Sequence, residues 1–135
     1  MKTVITYGTF DLLHYGHMNL LKCASKLGDK LIVGASTDDC CLEKGKKTVF
    51  DVNKRMEMVS DLKYVSLVIP EYNMAQKVED VIKYDVDVFV LGSDYSDAFL
   101  KMPEYGLIKN RCDIVFLPRT EGVSTTILKQ ERNLL

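Results

Sequence analysis

The sequence predicts an α/β domain with a doubly wound, five-stranded parallel sheet. Five short apolar runs alternate with segments whose apolar residues recur at helical spacing. The runs are continuous and not alternating, which is typical of parallel strands covered by helices on both faces. A length of 135 residues, with 47% hydrophobic and 27% charged residues, fits a single domain, 1–135, with its own core.

The predicted strands are rich in apolar and β-branched residues and are bounded by turn signals. They are Val4–Tyr7, Lys30–Ser36, Ser66–Ile69, Asp87–Leu91 and Asp113–Leu117. The predicted helices run over Met18–Leu27, over Val52–Leu62 after an Asp51 N-cap, from an Asn73 cap through Ile82, over part of Phe99–Lys109 with a break at Pro103, and onward from near Ser124. The polar, lysine-rich residues 37–48 predict a mobile loop.

Composition excludes several classes of function. A net charge of −1 gives no overall attraction for nucleic acid, and no apolar run is long enough to cross a bilayer. The first residues lack the pattern of a signal peptide. The four cysteines, Cys23, Cys40, Cys41 and Cys112, have no metal-ligand spacing, which favours unpaired thiols in a reducing compartment. We therefore expect a cytoplasmic protein that binds neither nucleic acid nor membrane.

A histidine-containing turn, residues 8–17, directly follows the first predicted strand. It reads G-T-F-D-L-L-H-Y-G-H and holds both histidines of the chain, His14 and His17. Gly8 permits a tight turn, and Gly16 removes a side chain where a phosphate could approach a helix N-terminus. A lone histidine here would more often be a cap or a surface residue. Two histidines in a glycine-punctuated turn favour a phosphate site.

A second turn, residues 118–126, follows the last predicted strand and reads P-R-T-E-G-V-S-T-T. Arg119 supplies a charged fork, and Ser124 and its neighbours supply hydroxyls at a helix start. The alternative is an N-capping serine beside an exposed arginine. Because the carboxyl ends of parallel strands share one edge of a sheet, the two turns would converge on one polyphosphate.

Other charged residues are weaker signals. Lys44 and Lys46 lie in the polar loop, where lysines can close over an anion or simply be solvated. Arg55 and Lys77, on predicted helices, are uninformative alone. Asp94 follows the fourth strand at the ligand-binding edge, where it could equally be a turn residue.

Together, the H-x-G-H turn and the R-T-E-G-x-S-T-T turn resemble the cytidylyltransferase branch of the nucleotidyltransferase α/β superfamily. The resemblance to the bacterial glycerol-3-phosphate cytidylyltransferases is close and covers nearly the whole chain, apart from a longer stretch between Tyr95 and Arg111. The resemblance implies a Rossmann-like nucleotidyltransferase fold, a homodimer and Mg²⁺ as cofactor. It implies transfer of a cytidylyl group from CTP to a phosphorylated alcohol, with sn-glycerol 3-phosphate expected, giving pyrophosphate and CDP-glycerol for polymers of the teichoic-acid or capsule type.

The resemblance also implies roles for individual residues. Those implied to bind CTP are Gly8, Thr9, Phe10, Asp11, His14, Tyr15, Gly16, His17, Lys46, Asp94, Arg119, Thr120, Glu121, Gly122, Val123, Ser124, Thr125 and Thr126. Those implied to bind the substrate phosphate are Lys44, Arg55 and Lys77. The catalytic set is His14, His17, Lys44, Lys46 and Arg119. Asp11 would contact Mg²⁺ indirectly, through the CTP phosphates.

Departures from the family pattern leave the alcohol open. Relatives often have Trp where Met74 stands, and Arg and Asp where Lys63 and Ser66 stand. Another alcohol phosphate, such as phosphocholine or phosphoethanolamine, is one alternative. An adenylyltransferase and a non-catalytic, nucleotide-binding regulatory domain are the others. The R-T-E-G-x-S-T-T run argues against the former, and retention of both histidines and both loop lysines argues against the latter.

Overall fold

The computed structural model describes residues 1–43, 45, 47–92 and 99–118. Five strands and five helices lie wholly in these ranges. All five predicted strands are confirmed, to within one residue at each end except for the third, which ends at Glu71 and not at Ile69. The strands are β1 (Thr3–Gly8), β2 (Lys30–Ser36), β3 (Leu67–Glu71), β4 (Val88–Gly92) and β5 (Asp113–Leu117). The helices are α1 (Tyr15–Ser25), α2 (Asp38–Glu43), α3 (Val52–Ser60), α4 (Gln76–Lys83) and α5 (Pro103–Lys109).

All strand pairs are parallel, and the strand order is β3-β2-β1-β4-β5. The chain builds outward from β1 on one side and then resumes with β4 on the other. The strand order therefore reverses between β1 and β4, which is the point where open α/β sheets bind ligands, beyond the carboxyl ends of the strands.

Helices cover both faces of this sheet, as predicted. Alternate residues of each central strand point to opposite faces, so Val4 and Ile5 enter different cores. Leu21 and Ala24 of α1 and Val59 of α3 pack on the first face. Val81 of α4 and Ile108 of α5 pack on the second.

Two of the predicted caps hold hydrogen bonds. Asp51 is the N-cap of α3, and its carboxylate accepts from the backbone N–H of Lys54 at 2.8 Å. The side chain of Asn73 accepts from the N–H of Gln76 at 3.0 Å, but the N-cap of α4 is Ala75, so Asn73 stabilises the turn before the helix and does not cap the helix itself. The predicted break at Pro103 is confirmed. Phe99 and Leu100 are helical, residues 101 and 102 are not, and Pro103 begins α5, because the first turn of a helix needs no proline N–H.

The prediction of a mobile loop over residues 37–48 is wrong for its first half, which forms α2. The Thr37 hydroxyl accepts from the N–H of Cys40 at 3.2 Å, and two aspartates occupy the first turn, where a helix favours negative charge. Cys40 and Cys41 are both buried, and that burial holds the helix against the sheet. All four cysteines lie among the described residues and none forms a disulfide, as expected.

The predicted helix near Ser124 lies outside the described residues. Among the helices that are described, none has the length and apolar character required to cross a membrane.

Candidate active site

The histidine turn lies at the centre of the carboxyl edge of the sheet. It leaves β1 at Gly8 and enters α1 at Tyr15, next to the reversal of strand order between β1 and β4. The sequence-predicted residues Thr9, Phe10, Asp11, His14 and His17 are thus brought together at the expected ligand-binding edge.

Residue 8 is a glycine because of close packing, and not because its backbone needs a left-handed angle. A Cβ at this position would lie 2.8 Å from two carbons of the Phe10 ring, closer than side-chain packing allows. Phe10 is buried and has a φ of 52°, and Leu12 has a φ of 43°. Left-handed backbone costs a non-glycine residue roughly 1–2 kcal/mol, so the surrounding contacts must hold the turn in this shape.

The two histidines form a capping box at the N-terminus of α1. Nδ1 of His14 accepts from the N–H of Gly16 at 3.0 Å, and Nδ1 of His17 accepts from the N–H of His14 at 3.4 Å. Because each Nδ1 is an acceptor, each neutral ring carries its proton on Nε2. The rings are stacked with their centroids 3.9 Å apart, so the two Nε2–H donors belong to one rigid unit.

His17 is held in its neutral form. Burial, together with the neighbouring His14, lowers the pKa of His17 to about 4, while the carboxylate of Asp11 opposes them. At neutral pH His17 therefore acts as a hydrogen-bond donor without a formal charge. A capping amide on Nδ1 favours the same state, because protonation there would remove the acceptor.

The Gly16 amide has a different role from the one predicted. We expected amides at this helix start to meet a phosphate, but the N–H of Gly16 donates to His14. The exposed Tyr15, implied to bind CTP, begins α1 beside it.

Asp11 is almost completely buried, with 1% of its surface exposed. Its two carboxylate oxygens accept from consecutive backbone amides, those of Val49 at 2.8 Å and Phe50 at 3.1 Å. The structure gives Asp11 a role that the sequence did not reveal, which is to join the histidine turn to the segment before α3.

Arg55 is fully buried on α3. Its guanidinium donates to the carbonyls of Phe50, Thr9 and Ser36 at 2.7–3.0 Å and to the Asp38 carboxylate at 2.8 Å. A planar group with five donors suits several acceptors at once. Arg55 therefore stabilises the backbone of the histidine turn and of the end of β2, to whose carbonyls it donates.

Lys77, on α4, has 5% of its surface exposed and forms an ion pair with Glu71 at the end of β3. Its ammonium lies 4.8 Å from the centre of the Tyr7 ring. The other oxygen of Glu71 accepts from the Ser36 hydroxyl at 2.8 Å. This buried group places Lys77 at the same edge of the sheet as the histidine turn.

Sequence reasoning missed Glu71 and Ser36. A usable signal was present, because Ser36 is the last residue of a predicted strand. Glu71 follows the predicted strand Ser66–Ile69 by two residues and lies six positions before Lys77. The remaining predicted site residues lie outside the described ranges. They are Lys44, Lys46, Asp94, Arg119, Thr120, Glu121, Gly122, Val123, Ser124, Thr125 and Thr126.

No group of three or more His, Cys, Asp or Glu side chains that could hold a metal occurs in the described part of the chain. Mg²⁺ commonly keeps several waters and binds through substrate phosphates and one or two carboxylates.

The fold and the site define a doubly wound α/β domain. It has paired imidazole donors at its switch point, the place between β1 and β4 where the strand order reverses. A model of the family described as cytidylyltransferase-like matches residues 5–131, and the chain belongs to this family.

Several known proteins are similar to this chain. The glycerol-3-phosphate cytidylyltransferase of Staphylococcus aureus is 50% identical, over 97% of this chain and 95% of its own length. Its Bacillus subtilis counterpart is 48% identical over 97% of both chains. Among solved structures, the lipopolysaccharide core biosynthesis protein of Thermoplasma volcanium superposes with a TM-score of 0.77 at 32% identity, covering 90% of this chain and 99% of that one.

Proposed function

We propose that this chain transfers the cytidylyl group of CTP to sn-glycerol 3-phosphate, which releases pyrophosphate and forms CDP-glycerol. The observation that carries the proposal is the near full-length similarity, at 48–50% identity, to proteins named for this reaction. The placement of His14 and His17 at the switch point supports it, because this is where the phosphates of a nucleotide would lie.

The chemistry requires positioning more than proton transfer. A phosphate monoester is already largely ionised at neutral pH, so its oxygen can attack the α-phosphorus of CTP in line without a general base. The difficulty lies in holding two anions together and stabilising the charge that develops as pyrophosphate leaves.

The two Nε2–H groups suit that task. They are donors held in a fixed relation by the capping box and the stacked rings. Preorganised donors stabilise a transition state because no reorganisation is needed when charge develops. Removing one such donor should cost roughly 3 kcal/mol, or about a hundredfold in rate.

Cationic residues would complete the site. In this proposal Lys46 and Arg119 bind CTP, and Lys44 and Lys77 bind the phosphate of the alcohol. Mg²⁺ would neutralise part of the triphosphate charge when CTP binds. Arg55 is buried, and it would support the substrate-phosphate site indirectly, by binding the Thr9 carbonyl in the histidine turn.

A panel of phosphorylated alcohols tests the substrate assignment. Purified protein with CTP and Mg²⁺ is given glycerol 3-phosphate, phosphocholine, phosphoethanolamine or other polyol phosphates, and the CDP-alcohol is measured by mass spectrometry. We expect kcat/KM to be highest for glycerol 3-phosphate. Higher kcat/KM with phosphoethanolamine or phosphocholine would contradict the choice of alcohol while leaving cytidylyl transfer intact.

We propose further that the chain is a cytoplasmic homodimer. The resemblance supports this, and light scattering on the purified protein tests the mass. A monomer at micromolar concentration that retains full activity would contradict the dimer.

A further inference from the structure

Asp11 lies between the two residues of the histidine turn that have left-handed backbone. The φ angles on either side of it are 52° at Phe10 and 43° at Leu12. Such angles persist only where neighbouring contacts hold them. The turn therefore needs an anchor, and Asp11 is the buried charged group at its centre.

The contacts of Asp11 lie in a segment 38 residues further along the chain. Both of its oxygens accept from backbone amides there, those of Val49 and Phe50. A carboxylate that accepts two amides is well matched, whereas an asparagine in its place could accept only one and would point N–H at N–H for the other.

Arg55 completes a closed ring of hydrogen bonds with Asp11. Its Nε donates to the carbonyl of Phe50, whose N–H donates to Asp11, and its Nη1 donates to the carbonyl of Thr9, two residues before Asp11. The ring encloses the first left-handed residue, Phe10. The backbone N–H of Phe50 is thus bound by the Asp11 carboxylate, and its carbonyl is bound by the Arg55 guanidinium.

We propose that Asp11 is a positioning residue, which fixes the histidine turn by binding the Val49 and Phe50 amides. This inference rests on the proposed function, because positioning matters for catalysis only if His14 and His17 contact the reacting phosphates. The role differs from a contact with the metal of the nucleotide, and the two roles predict different behaviour.

Asp11→Asn tests the proposal, with Asp87→Asn as the matched control. Asp87 also accepts from a backbone amide, that of Thr3 at 2.8 Å, but at the opposite edge of the sheet. In Asp11→Asn, hydrogen exchange at Val49 and Phe50 should accelerate by tenfold or more, and kcat should fall by about a hundredfold. The Mg²⁺ concentration for half-maximal rate should stay within about twofold. Asp87→Asn should change none of these.

Val49→Pro provides a second variant should Asp11→Asn fold poorly. It removes one N–H at a position that is 41% exposed and changes none of the residues implied to bind nucleotide or metal. We expect kcat to fall, and we expect the double variant to be no slower than Asp11→Asn alone within about twofold, because the two changes break one interaction.

The proposal is overturned if Val49 and Phe50 keep their protection in Asp11→Asn while the Mg²⁺ requirement rises about tenfold. It is equally overturned if Val49→Pro retains full activity. If the wild-type chain makes no CDP-glycerol, the proposed function fails, and amide exchange still decides whether Asp11 anchors the turn.

Discussion

The two roles of His14, helix cap and phosphate donor, can be separated with a pair of substitutions. Asparagine is among the best N-cap residues, so His14→Asn should still accept from the Gly16 amide, while His14→Ala cannot. Both substitutions remove the imidazole and its Nε2–H. A difference in stability between the two variants measures the contribution of the cap. A loss of rate common to both measures the contribution of the Nε2–H donor.

The structure sets the expected magnitudes. Both variants lose the stacking between the His14 and His17 rings, which is worth about 0.5–1 kcal/mol and cancels in the comparison. Only His14→Ala loses the cap, at about 1 kcal/mol, which corresponds to a melting temperature about 3–5 °C lower than that of His14→Asn in a domain of this size. Both should show kcat reduced by about a hundredfold.

Thermal unfolding followed by circular dichroism, together with steady-state kinetics of pyrophosphate release, measures both quantities on the same preparations. If His14→Asn keeps activity within a few-fold of wild type, His14 serves as a cap and not as a phosphate donor. Equal melting temperatures for the two variants would refute the capping argument instead.

Three further predictions concern individual residues. Gly34→Ala should destabilise the fold by at least about 1–3 kcal/mol in urea unfolding, because its Cβ would lie 2.3 Å from the Tyr7 ring; wild-type stability would contradict this. Because the pKa of His17 is lowered to about 4, the unfolded chain binds more protons between about pH 4 and 6.5, so stability should fall as pH decreases through that window, by at most about 3 kcal/mol. The slope should shrink in His17→Gln, and an unchanged slope would argue that other groups cause it. Lys46→Ala should raise KM chiefly for CTP and Lys77→Ala chiefly for the alcohol phosphate, each about tenfold; changes below about twofold in both constants would make these lysines bystanders.

The sheet could be predicted from sequence because each strand is a continuous apolar run, as in Lys30–Ser36, where six of seven residues are buried. The α2 helix could not, because the segment is short and its stability comes from burial of Cys40 and Cys41 against the sheet. The segment begins with two aspartates and is followed by a lysine-rich stretch, a composition that is also typical of a solvated loop. The helix forms because its cysteines are buried by the rest of the fold, and a six-residue sequence is too short to predict such burial.

The position of the histidine turn was predictable, but the internal contacts of the site were not. The spacing of His14 and His17 placed both at the start of α1, and the strand order then placed them at the switch point. Pairing of Asp11 with the Val49 and Phe50 amides joins residues 38 and 39 positions apart. No periodicity in a single sequence records such a contact, so Asp11 and Arg55 appeared as isolated charges.

The most direct measurement of the central claim is the rate of CDP-glycerol formation by the purified chain with glycerol 3-phosphate, Mg²⁺ and each nucleoside triphosphate in turn. Mass spectrometry identifies the product, and pyrophosphate release gives the rate. We predict a strong preference for CTP over ATP, GTP and UTP, with stoichiometric CDP-glycerol and pyrophosphate. Equal turnover with ATP, or release of pyrophosphate from CTP without CDP-glycerol, would contradict the assignment.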